Sequence, residues 1–329
     1  MLCKWKVADC SNSLWICISL YYFILTLNQH FVLVCSSSLK KVAVVTGGNK
    51  GIGYAIVEGL CQNFSGDVFL TARDEGRGLA AVKALNEVKV EEYGSQTKMG
   101  YHPKFHQLDI TDDQSIIKFN NYLLHEYGGL DVLINNAGIA FKVAATDPLA
   151  VQAKETIRVN YFGTRKVCDV MFPILRPHAR VVHLSSTLNY CHLLKIPSEL
   201  LRKKLSAGNL TVDHLDGLML DFVRSAEQDK EVHLHWAGAS AYSVSKVGIS
   251  ALTRIQQREF LNNKRMDIVV NSVHPGYVDT DMTSHKGTLT IAQGAVSSLY
   301  AALLPENITE PKGAHILQNK TIVDWTTPF

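Results

Sequence analysis

The chain has 329 residues, 33 basic and 30 acidic, giving a formal net charge of +3 with 47% hydrophobic residues. That balance, with no like-charged block, excludes the basic face of a general nucleic-acid binder, and the composition excludes collagenous and disordered chains. Seven cysteines without a CxxC pair provide neither an even disulfide framework nor a zinc ribbon.

Residues 14–35 carry no formal charge and are almost wholly apolar, interrupted by Asn28-Gln29-His30 and preceded by Lys4 and Lys6. A spanning helix needs about 20 apolar residues and a signal core ~7–15. Three readings stay open: a membrane anchor in contact with lipid through residues 14–35, a cleaved signal, or an inert leader. Residues 1–39 are therefore set apart from a single domain over 40–329. The segment's flanking lysines favour a cytoplasmic catalytic domain; the alternative is a membrane-anchored or ER-associated one. Asn63, Asn209, Asn307 and Asn319 head glycosylation triplets that matter only in a secretory lumen.

From residue 40 the pattern alternates. A β-branched run at 41–46 meets a glycine cluster, and apolar residues at helical spacing follow over 51–64. Strand-like runs recur at 67–71, 104–108, 131–135, 180–184, 267–273 and 314–317. Helical stretches lie between them at 76–92, 113–127, 148–172, 241–262 and 291–304. Continuous apolar strands separated by such helices predict an α/β fold: a doubly wound parallel Rossmann sheet with helices on both faces. The 55 residues between Ser186 and Tyr242 hold no convincing strand. Helices at 193–205 and 212–229 mark a helical insertion over about 188–238.

In Thr46-Gly47-Gly48-Asn49-Lys50-Gly51-Ile52-Gly53, missing Cβ atoms let the backbone approach a pyrophosphate at a helix N-terminus. At the end of the second strand, Thr71-Ala72-Arg73 lacks the acidic side chain that would bond a ribose 2′-hydroxyl. Arg73, Lys50 and Arg77 instead gather cations suited to a 2′-phosphate, which selects NADPH/NADP+; Asp74 nearby complicates the charge. Asp109, after the third strand, either contacts adenine or caps the helix beginning near Thr111.

Tyr242 and Lys246 are four apart on a predicted helix and share a face. A tyrosine is a poor acid near its ordinary pKa of ~10, and an adjacent cation lowers that value. His233-x-His235 has no carboxylate or cysteine at ligand spacing, so no metal is expected. No GxSxG elbow supports a hydrolase.

The TGxxxGxG loop, Asn135-Asn136-Ala137-Gly138 and Tyr242-x-x-x-Lys246 together resemble the short-chain dehydrogenase/reductase family over essentially all of 40–329. The resemblance implies a catalytic set of Asn160, Ser186, Tyr242 and Lys246, with Ser185 the structural neighbour. Gly47, Asn49, Lys50, Gly51, Ile52, Gly53, Arg73, Arg77, Asp109, Asn136, Tyr242 and Lys246 would contact the cofactor, together with Pro275, Gly276, Val278 and Thr280 of the nicotinamide loop. Ser186 and Tyr277 would contact substrate. The long insertion is similar to that of the monomeric carbonyl reductases of the family. It implies a monomer that reduces small-molecule aldehydes, ketones and quinones with NADPH. Alternatives are a steroid, lipid, terpenoid or alkaloid ketone reductase, the lipid-directed form tethered to a membrane. A non-catalytic NADPH-binding protein would be expected to have lost Tyr242 or Lys246. Tyr277, Asp279 and His274 depart from the residues common in close relatives and border the expected substrate mouth.

Overall fold

The computed structural model describes residues 40–93, 102–142, 144–186, 196, 198–228, 236 and 239–326. The apolar segment 14–35, His233 and His235, and the first residues of the insertion lie outside the described residues. Among the described residues no helix is long and apolar enough to cross a membrane.

Among the described residues eight strands form one sheet: β1 (Lys41–Val45), β2 (Gly66–Ala72), β3 (Lys104–Gln107), β4 (Leu130–Asn135), β5 (Leu175–Leu184), β6 (Val269–Val273), β7 (His315–Ile316) and β8 (Ile322–Val323). Their spatial order is β3-β2-β1-β4-β5-β6-β7-β8. Every pairing is parallel except β7 with β8, which is antiparallel. The order reverses between β1 and β4, and a crevice at such a switch point, outside the carboxyl ends of the strands, is where doubly wound sheets hold ligands.

The helices are α1 (Gly51–Asn63), α2 (Glu75–Tyr93), α3 (Asp113–Tyr127), α4 (Leu149–Thr156), α5 (Thr164–Met171), α6 (Glu199–Ser206), α7 (Val212–Glu227), α8 (Ala241–Leu261) and α9 (Ile291–Ala302). Strand alternation divides the core between the two faces. Ala43, Val45, Val132, Ile134, Val182 and Leu184 pack with α1, α2 and α9. Val42, Val44, Leu133, Val181 and Val270 face α3 and α5. Burying one such side chain contributes roughly 1.5–3 kcal/mol, and a one-residue slip would turn every one to the wrong face, so the register is fixed.

The expected continuous helix over 148–172 is broken. α4 runs into a π-helical turn over Ile157–Gly163 before α5 begins. This wider turn takes an extra residue without changing the apolar pattern, so the sequence carries no mark of it. In the insertion, Ser198 caps α6 and Thr211 caps α7 through their hydroxyls. Leu201, Leu205, Leu215, Met219 and Phe222 then bury against α4, the π-helical turn and α8.

Candidate active site

The glycine loop joins β1 to α1. Gly47 (φ +64°) and Gly51 (φ +58°) occupy left-handed conformations that disfavour any side chain. A Cβ on Gly53 would stand 2.4 Å from Asn136 Nδ2 and 2.5 Å from the Gly47 oxygen, so that approach requires glycine. Lys50 stands at the N-cap of α1 without a side-chain capping bond, and no acidic residue lies in the helix's first turn. An anion is favoured at such an end, and the bare backbone cradle fits a dinucleotide pyrophosphate. Asn136 is spent on the loop: its Nδ2 donates to the Thr46 and Gly47 carbonyls at 2.8 and 3.0 Å. It closes the seam between β1 and β4. Asn49 and Ile52 are half-buried beside it.

At the end of β2, Thr71 and Ala72 are buried and Arg73 is exposed. The Asp74 carboxylate turns away to accept the Arg77 amide at 2.8 Å and pair with its guanidinium at 3.3 Å. These contacts, the amide bond first, hold its carboxyl below the ordinary range. Lys50 pairs with Asp281 at 2.7 Å. Asp109 accepts the Thr111 amide and hydroxyl, both at 2.8 Å. The cap of α3 is Asp112, not Asp109.

The four residues expected to be catalytic converge at the carboxyl ends of β4 and β5. Ser240 caps α8 through the Ser243 amide, which sets Tyr242 in the helix's first turn. Tyr242 hydrogen-bonds Ser186 through its side chain. Lys246, 7% exposed, donates to the Leu184 carbonyl at 2.8 Å and stands 5.5 Å from the Tyr242 ring centroid. Asn160, in the π-helical turn, accepts the Ile139 amide at 2.8 Å and donates to the Ile139 carbonyl at 2.9 Å. It also donates to Ser245 Oγ at 3.0 Å, and Ser245 donates to the Tyr242 carbonyl at 2.7 Å. A Cβ on Gly138 would lie 3.1 Å from Asn160 Oδ1 and 3.8 Å from Lys246 Nζ, so a bare backbone sits where the two meet. Ser185 is buried structure, bonding the Lys246 carbonyl and Ser250, both at 2.9 Å.

The electrostatics differ from the sequence expectation. Burial pushes Tyr242 up to about 12, opposed by its bond to Ser186. Burial likewise brings Lys246 down to about 8. Desolvation, not the neighbouring lysine, therefore sets the direction of the tyrosine's shift. What results is a half-buried acid and a buried base side by side, each shifted toward its neutral form, with Lys246 still mostly an ammonium at pH 7.

The segment after β6 roofs the crevice. Gly276 (φ +89°) turns the chain after Pro275, and Val278 is buried and bridges to Leu289. Thr280 approaches Gly51, where a Cβ would lie 3.5 Å from its Cγ2. Tyr277 is 52% exposed at the mouth. Asp279 pairs with His285 at 2.8 Å, so its charge has a partner on the same loop. Lys142, from the β4–α4 loop, donates to the Asp281 carbonyl and to Ser284 Oγ.

Sequence reasoning missed Gly138, Ile139 and Ser245 as supports of the site. The run Ala137-Gly138-Ile139, directly after the Asn135-Asn136 pair, is the signal available for the first two. Ser245 is one of several serines on α8 and carries no mark.

Residues 41–193 and 231–289 match the family described as short chain dehydrogenase. The chain is 44% identical over 290 residues, 88% of this chain and 100% of the relative, to rat (Rattus norvegicus) carbonyl reductase (NADPH) 3. It is 44% identical over 285 residues, 86% of this chain and 98% of the relative, to human (Homo sapiens) carbonyl reductase (NADPH) 1. Among solved structures, salutaridine reductase from Papaver somniferum aligns with a TM-score of 0.72 at 28% identity, covering 84% of this chain and 99% of that one. Menthone neomenthol reductase from Mentha piperita aligns at 0.68 and 28%, covering 85% and 99%.

Proposed function

We propose that this chain, which belongs to the short-chain dehydrogenase family, reduces carbonyl groups of small aldehydes, ketones and quinones to alcohols with NADPH. The observation that carries the reading is the Tyr242–Ser186 hydroxyl pair, set beside the buried Lys246 at the strand ends and next to the glycine loop. Bound NADPH would supply a hydride to the carbonyl carbon. Ser186 orients the carbonyl oxygen, and Tyr242 gives that oxygen its phenolic proton as negative charge develops there. The Lys246 ammonium stabilises the phenolate left behind, and reprotonation runs from solvent past Asn160 and Lys246. Arg73, Lys50 and Arg77 are the cations available to a 2′-phosphate, and no acidic residue ends β2 to repel one. The intact set Asn160, Ser186, Tyr242 and Lys246 argues against a non-catalytic NADPH-binding protein.

Replacing Tyr242 with Phe tests the assignment. Turnover should fall by about 10²–10⁴-fold while NADPH still binds, read by steady-state kinetics and fluorescence titration; retained turnover excludes Tyr242 as the acid. Comparable Michaelis constants for NADPH and NADH would exclude the cofactor preference.

A second reading, reduction of a terpenoid or alkaloid ketone, is favoured by the likeness to the two plant reductases. A ketone panel ranked by kcat/KM separates the two. We further propose a monomer, supported by the packing of α6 and α7 over α4 and α8; a tetramer in analytical ultracentrifugation would overturn it. We place the catalytic domain in the cytosol. Carbonate extraction with glycosidase treatment of the full chain tests this, a glycan shift being the opposing result.

A further inference from the structure

Tyr161 follows Asn160 within the π-helical turn, and its side chain is completely buried. The ring points into the insertion. Its hydroxyl donates to Asp216 Oδ1 on α7 at 2.9 Å, and Arg165 of α5 holds Asp216 Oδ2 at 2.9 Å. A Cβ on Gly248 would lie 3.1 Å from Tyr161 Cδ2 and 2.8 Å from Met219 Sδ, so α8, the tyrosine ring and α7 meet at one point. A π-helical turn has poorer internal bonding than the α-helix it interrupts, and it persists where its surroundings over-determine it. Here the determinants lie on both sides. Asn160 is tied to Ile139 and Ser245, and the adjacent Tyr161 is tied to the insertion.

We propose that the Asp216–Tyr161 hydrogen bond positions the proton relay: α7 clamps the π-helical turn and so fixes Asn160 against Ile139 and Ser245. The insertion is then part of the catalytic apparatus as well as a cover for α4 and α8. The inference rests on the reading of Asn160 as a relay residue. Asp216 and Tyr161 are positioning residues that act through Asn160.

The test compares Tyr161→Phe, Asp216→Ala, Asp216→Asn and Asn160→Ala in the full chain. Misplacing a catalytic group by a fraction of an ångström predicts roughly tenfold lower kcat for Tyr161→Phe and Asp216→Ala. The Michaelis constant for the carbonyl and the NADPH dissociation constant should stay near wild type. Asp216→Asn keeps an oxygen acceptor for the tyrosine and should retain most of kcat. Amide hydrogen exchange over residues 157–164 should accelerate in Tyr161→Phe and Asp216→Ala and remain slow in Asp216→Asn. Wild-type kcat and exchange in Tyr161→Phe would overturn the clamp. So would Asp216→Asn as impaired as Asp216→Ala, which keeps the test decisive if Tyr161→Phe fails to fold. Full activity in Asn160→Ala would instead remove the relay reading itself.

Discussion

At the amino end of the sheet, Asp267 is bound by Arg180 at 2.9 Å, His178 at 3.1 Å and Lys312 at 3.4 Å, and Asp131 by Arg176 at 2.7 Å. Lys104 and Tyr127 both bond Asp67, at 2.7 and 2.6 Å. At the carboxyl end, Lys246 is held by a backbone carbonyl, and no carboxylate among the described residues pairs with it. Burial opposes charge at both ends. Near β6 the Asn307 amide, His178 and Arg180 overcome it and hold the Asp267 carboxyl down to about 2. Beside β5 nothing does, and Lys246 falls to about 8 while Tyr242 rises to about 12. One end of the same strands fixes its protons; the other leaves them ready to move.

The comparison breaks if the two ends respond alike to mutation. Lys246→Met should show the largest effect on chemistry, a loss of about 10²–10⁴-fold in turnover, because the phenolate loses its cation. It should also melt above wild type at pH 7. The depressed lysine pKa means that the unfolded chain binds the extra proton between pH 8 and 10.5, so wild-type stability rises across that window. The gain in the variant should shrink over the same range in a pH series of melting curves. Asp267→Asn should do the reverse. It strands the buried Arg180, costs about 3–5 kcal/mol in urea unfolding, and leaves the kcat of the folded protein unchanged.

Acid should act on a different pair of groups. Burial brings His183 and His315 down to about 4, so the unfolded chain takes up their protons first as pH falls from 6.5 toward 4. Their contribution should be full above pH 6.5 and decline through that window. A flat urea midpoint between pH 6.5 and 4 would contradict the neutral burial of both. The smallest effect expected is at the exposed end of β2: Arg73→Ala should raise the NADPH Michaelis constant roughly tenfold and leave that for NADH alone.

The residues that carry backbone chemistry are legible in the sequence. Gly47, Gly51 and Gly53 are required by local conformation and close approach, and Tyr242 and Lys246 by one helical face. The apolar runs mark the sheet because its inner strands β1, β2, β4, β5 and β6 are buried on both sides. Less legible was whatever depends on what stands opposite in space. Asn136 reads as a cofactor residue, and that its amide bonds the Thr46 and Gly47 carbonyls shows only in space. Lys50 reads as a phosphate ligand, and no local pattern shows that Asp281, 231 positions away, stands beside it. β8 is two residues long, too short to show a period, and the π-helical turn leaves the apolar spacing of 148–172 intact.

That turn also bears on how the chain tolerates change in length. A π-helical turn fits one more residue into the same rotation, so removing one residue between 157 and 163 would let an uninterrupted α-helix form with everything beyond it facing where it faces now. Thr164, Val167, Cys168 and Met171 would stay against the sheet, and the sulfur of Cys168 would stay beside Asn135. What such a deletion would remove is the widening that seats Asn160 and Tyr161, whereas the same deletion within the plain α-helix α8 would rotate a whole core face by about 100°.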